Sequence, residues 1–105
     1  MRVLAELSLL RREVAAFARE LRCEALTLSR RQGRTQQALI EEALDYYLLD
    51  ARPRTRLVAF AAAVDICPHL AARRLHDVHQ AACDCLLLRT LFWSSAQRLK
   101  RFGWL

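Results

Sequence analysis

The residues best equipped for chemistry lie in the stretch PHLAARRLHDVHQAACDC, residues 68–85. His69, His76, His79 and Cys83 follow one another at steps of seven, three and four. On a helix those steps return to about the same quadrant. Imidazole and thiolate on one face can bind zinc, with Cys67 or a second chain completing a tetrahedron. The same pattern also describes a mixed helix face on which histidine and cysteine pack. No C-x-x-C pair and no H-E-x-x-H motif accompanies it. The expectation is therefore no bound cofactor, with His76, His79 and Cys83 as the candidate ligands if a metal is held. Cys83, His79 and Asp84 have the types of a nucleophile, a base and an orienting acid, but on one helix they cannot converge as such a group must. There is no glycine-rich phosphate loop and no plausible pair of carboxylates, so no enzyme is expected. Cys85 points elsewhere and reads as a small core residue.

Charge is the other chemical resource. The chain of 105 residues has a formal charge of +6, and sixteen of its seventeen basic residues are arginine, whose planar fork suits phosphate and carboxylate oxygens. The net balance runs +3 over residues 1–33, −2 over 34–52, +3 over 53–75 and +2 over 76–105. Such an order fits a nucleic-acid surface beside an acidic helix, and it fits solvated helices equally. Arg54, Arg56, Arg73, Arg74, Arg98, Lys100 and Arg101 form a second basic set. Phe92, Trp93, Phe102 and Trp104 gather at the C-terminal end, as a patch for a protein partner or as the closing part of the core.

The elements that must position these groups read as helices. Two glycines, two prolines and few β-branched residues leave little room for turns or a large sheet. Between Val3 and Leu28 the apolar residues Leu4, Leu7, Val14, Phe17, Leu21, Ala25 and Leu28 fall mostly at gaps of three, four or seven, which predicts one long amphipathic helix over residues 3–32. Gly33 can end it in a left-handed turn. Thr35 caps the next helix, which runs to about Leu49. That helix buries Leu39, Ile40, Ala43, Leu44, Tyr47 and Leu48 and turns Glu41, Glu42 and Asp45 to water. DARPRT, residues 50–55, is the clearest boundary: Pro53 stops the helix at Arg52, and Thr55 can cap a third helix. RLVAFAAAVDIC predicts that helix as short and alanine-rich. From Pro68, suited to a first turn, one long helix, open to a bend, is predicted to about Arg101, with a tail beyond that frays unless Trp104 is docked.

The first apolar stretch, VLAELSLL, is too short and too charged for a secretory signal, and no segment has the length and apolarity to span a membrane. The expectation is a cytoplasmic protein with reduced thiols.

One stretch carries a family resemblance. SRRQGRTQQALIEEALDYYL resembles the turn and second helix of the ribbon–helix–helix family. Gly33, Thr35, Leu39, Ile40, Ala43, Leu44, Tyr47 and Leu48 stand at the places of that pattern, and Leu21, Ala25 and Leu28 match the core face of its first helix. The resemblance covers about residues 12–50. It implies an N-terminal half, residues 1–52, that dimerises by interlocking two chains through Leu39, Ile40, Ala43, Leu44, Tyr47 and Leu48. A helical extension, residues 53–105, would complete the chain and could share the same compact domain. The resemblance also implies a strand at residues 12–17, paired with that of the second chain and laid in the DNA major groove. Arg12 would then face the bases, and Arg34, Thr35 and Gln36 would hold a phosphate at the helix N-terminus. The implied function is a small repressor, antitoxin or plasmid-maintenance factor acting as a homodimer.

REVAAFA departs from the family pattern, because a reading strand wants polar side chains on its outer face. The fold class expected is mainly all-α with this N-terminal half, and the alternative is a four-helix bundle with a long first helix. That alternative implies a different function, an adaptor or anti-activator that binds a partner protein through an apolar groove.

Overall fold

A computed structural model describes residues 2–82 and 85–105, with Val3 described by its backbone alone. The described residues form six helices and no strand: α1 (Arg2–Gln32), α2 (Gln36–Leu48), α3 (Pro53–Ile66), α4 (Pro68–Arg73), α5 (Leu75–Ala81) and α6 (Leu86–Arg101). The fold is all-α.

Helix α1 has 31 residues, about 46 Å at 1.5 Å per residue, and so sets the 46 Å long axis of a molecule 27 and 26 Å across. It passes through residues 12–17 without a break, which overturns the strand expected there. The reason is continuity of the apolar stripe. Leu7, Leu10, Leu21 and Ala25 are buried, with Val14 and Phe17 packed against the core between them. A strand would turn alternate residues away from that face. Leu4, expected in the stripe, is exposed.

The turn from α1 to α2 forms as its residues dictate. Gly33 has φ +65°, a left-handed conformation that closes α1 through the bond from its N–H to the Ser29 carbonyl (3.0 Å). The Thr35 hydroxyl then accepts from the Ala38 N–H at 3.1 Å and caps α2. Between α2 and α3 the Asp50 carboxylate accepts from the Arg52 N–H at 2.8 Å. This side-chain turn delivers Pro53 to the first position of α3. Thr55, expected as a cap, lies inside the helix instead.

Helix α3 is the axle of the fold and touches every other helix. Its residues Leu57 through Val64 are all buried, which a helix achieves only when neighbours surround it. Ala59, Ala62 and Ala63, fully covered, let those neighbours approach closely. Phe60 stacks on Phe92 of α6, with ring centroids 5.4 Å apart. The core is continuous from Leu7 to Leu99, so both halves of the chain share it.

The single long helix expected from Pro68 to Arg101 is instead three. Arg74 separates α4 from α5 with φ −99° and ψ 6°, its guanidinium held by Asp45 (2.8 Å) and Asp77 (3.6 Å). Cys85, extended, precedes α6, and it is exposed rather than part of the core. A straight rod could lay only one stripe along α3. Breaking it lets Leu70, Val78 and Leu91 reach α3 from different sides, all of them in the shared core. The tail is tied rather than frayed. Gly103 takes φ +83°, and the N–H groups of Gly103 and Trp104 bond to the carbonyls of Lys100 (3.1 Å) and Leu99 (3.0 Å), a left-handed helix stop.

Candidate functional site

A cleft of about 560 Å³ opens between α1 and α6, with α3 as its floor. The two walls touch only over a short stretch. Helix α1 lends Arg11, Val14 and Ala15, which share one face at steps of three and four. Helix α6 lends Leu91, Ser94, Ser95, Arg98 and Arg101, and α3 lends Ala61 and Asp65. Ala61 keeps the floor low and Ala15 keeps the α1 wall shallow. Val14 and Leu91 make the walls apolar. Ser95, with 3% exposure, is the one buried polar residue among the described residues, and it lines this cleft.

Three arginines rim the cleft against one carboxylate, Asp65. Asp65 is ion-paired with Arg98. Arg11 and Arg101 have no carboxylate partner among the described residues. Arg101 also ends α6, where cations complement the helix dipole. The cleft therefore combines an apolar floor with an uncompensated positive rim. It can receive an apolar side chain and pair carboxylates above it. Spacing along α6 carried this signal, but only the packing of α1 and α6 against α3 brings Arg11 to Arg101.

The residues expected as DNA contacts lie elsewhere. Arg12 is exposed on α1. Arg34 pairs with Glu42 at 2.5 Å, Thr35 is engaged as the cap of α2, and Gln36 is exposed as its first residue. The residues expected at a dimer interface are covered within the single chain. Leu39, Leu44 and Leu48 are buried, and Ile40, Ala43 and Tyr47 pack against the core. Tyr47 meets Phe17 of α1 edge-on at 5.1 Å.

The histidine series is divided by the break at Arg74. His69 belongs to α4, while His76 and His79 belong to α5. His76 lies 3.4 Å from the Gln80 amide, and the His79 ring lies 5.2 Å from that of Phe92. Cys83 and Asp84 lie outside the described residues. What the fold does bring together is His69, Cys67 and Glu41. His69 Nε2 is 2.9 Å from Glu41 Oε1. Cys67 Sγ is 3.5 Å from that nitrogen and 3.8 Å from that oxygen. The Gln37 amide, at 3.3 Å, and after it His69 hold the Glu41 carboxyl below its ordinary value. Burial pushes the Cys67 thiol up, the wrong direction for a nucleophile in its own right. Sequence periodicity places Glu41 on a solvated face, because its relation to residue 67 exists only once α2 packs on α3.

Comparison with known proteins finds no matching family model, no matching curated protein and no matching solved structure. The all-α fold and its clefts therefore carry the functional reading. No helix among the described residues is long and apolar enough to cross a membrane.

Proposed function

We propose that this chain is a helical protein-binding regulator, an adaptor or anti-activator, whose cleft between α1 and α6 holds an acidic amphipathic helix of a partner protein. The observation that carries the reading is the rim of the cleft: Arg11 and Arg101, both without carboxylate partners among the described residues, flank an apolar floor. An amphipathic segment would set its apolar side chains on Val14, Ala61 and Leu91 and pair its flanking glutamates or aspartates with the arginine forks. Helix-in-groove recognition uses anchors of this kind, and arginine presents two parallel donors to a carboxylate. The ribbon-based reading is less well supported, because residues 12–17 are helical and the α2 stripe is covered from within.

The test is calorimetric titration with two synthetic amphipathic peptides that share one apolar face, one flanked by glutamates and one by lysines. Binding of the acidic peptide is expected, weakening as salt rises and falling at least about tenfold in the double variant Arg11→Glu/Arg101→Glu, a loss of about 1.4 kcal/mol or more. Equal binding of both peptides, or of neither, rejects the reading. Salt-sensitive binding of duplex DNA that drops in Arg34→Ala would restore the DNA-binding reading in its place.

A further inference from the structure

Independently of the cleft, we propose that Glu41, Cys67 and His69 form a binding site for a zinc-class divalent cation, with three protein ligands and one position left for an exchangeable ligand. The three donors come from separate places in the fold. Glu41 stands on α2, Cys67 is the single residue between α3 and α4, and His69 lies in the first turn of α4. Pro68 begins α4 directly after Cys67, which fixes the chain between two of the ligands. Cys67 is buried, whereas Glu41 and His69 are half-buried, so the site is anchored from inside and reachable from outside.

The donor separations carry the inference. Bond lengths of about 2.0–2.1 Å to nitrogen, 2.0–2.2 Å to oxygen and 2.3 Å to sulfur, set tetrahedrally, require donors about 3.3–3.6 Å apart. The observed separations are 3.5 Å from Cys67 Sγ to His69 Nε2, 3.8 Å from Sγ to Glu41 Oε1 and 2.9 Å from Nε2 to Oε1. The two sulfur separations are within about 0.2 Å of their tetrahedral edges, and the Nε2–Oε1 contact, shorter by about 0.4 Å, must open slightly to admit the ion. An ion pair accounts for the Glu41–His69 contact alone. It does not account for a buried thiol aimed at the same point. Thiolate, imidazole and carboxylate together suit zinc better than calcium or magnesium, which favour all-oxygen sites.

Loading a cation is an exchange of protons for metal. The Cys67 thiol proton leaves to solvent, and His69 coordinates through an unprotonated Nε2 with its ring proton on Nδ1. A hollow of about 340 Å³ lined by Gln37, Ile40, Ile66 and Trp104 adjoins the ligands and leaves room for water or an added ligand at the fourth position. The bound ion would fasten α2 to the α3–α4 junction and stabilise the fold by mass action.

Cobalt(II) is the probe, titrated into the reduced full chain and followed by absorption. The expected result is a thiolate-to-cobalt charge-transfer band that saturates at one equivalent and is displaced by zinc. Cys67→Ser should abolish the band. His69→Ala, a change at a half-exposed position, should weaken apparent affinity by at least about tenfold, since even losing a partner that merely orients a ligand costs about 10- to 100-fold. Cys85→Ser, at an exposed thiol, should leave the band intact. Zinc should raise the Tm of the wild type and leave that of His69→Ala nearly unchanged. A wild-type chain without the band overturns the proposal, as does a band that survives both Cys67→Ser and His69→Ala.

Discussion

Asp50 shows how one side chain can set the angle between two helices. Its Oδ1 accepts from the backbone N–H of Arg52 at 2.8 Å and from Nε of the same residue at 3.0 Å, and its Oδ2 accepts from Nη2 at 3.2 Å. The Arg52 side chain first, and its backbone N–H second, hold the Asp50 carboxyl below the ordinary value of 3.8. The folded state therefore prefers the ionised form. That contribution to stability is complete above the unfolded value and is lost as pH falls through the depressed folded one. Asp50→Asn should lower the Tm at neutral pH, and the gap to wild type should close in strong acid, as thermal circular dichroism can show. A gap that persisted undiminished in acid would mean that shape rather than charge makes this turn. Thr35 and Gly33 work beside it at the same scale, as a cap and a left-handed stop whose effects reach no further than the turn they close.

At the scale of elements, α3 decides most of the architecture. Its weak amphipathicity is legible in RLVAFAAAVDIC, where alanine and apolar residues occur on every side. A helix of that composition wants neighbours all round, and α3 has them. The alanines set how near they come. Ala63 is fully buried in a helix packed by all five others, so Ala63→Leu should force neighbouring side chains off their rotamers and cost about 1–3 kcal/mol. Urea unfolding monitored by circular dichroism measures this directly, with the midpoint falling and the slope unchanged. A neutral effect would show that the packing around α3 is looser than its burial implies. By contrast, the long continuous pattern after Pro68 holds no local reason to stop. Arg74 and Cys85 are not helix breakers in themselves. The breaks let apolar residues on several sides of the segment all reach α3.

At the scale of the whole molecule, the question is what covers each apolar face. The resemblance to an interlocked dimer rests on α2, but Leu44 and Leu48 have no exposed surface in one chain. Exposed large apolar residues lie instead at separate places, among them Leu4 and Leu9 on α1 and Trp93 on α6. Sedimentation equilibrium should therefore report the single-chain mass of 12.1 kDa. A stable mass of twice that value would require α2 to be exchanged between chains or another face to pair.

The sequence alone determined the helices whose signals are local: the unbroken stripe of α1, the Gly33 stop, the Thr35 cap and the Pro53 boundary. Each depends on residues within a turn or two of one another, where backbone hydrogen bonding and dihedral preference act. Tertiary structure alone decided that the segment after Pro68 breaks at Arg74 and again before α6, that Arg11 and Arg101 line one cleft, and that Glu41 meets Cys67 and His69. Those outcomes come from burying apolar surface on α3, and burial is a property of the assembled helices that no single window of sequence contains.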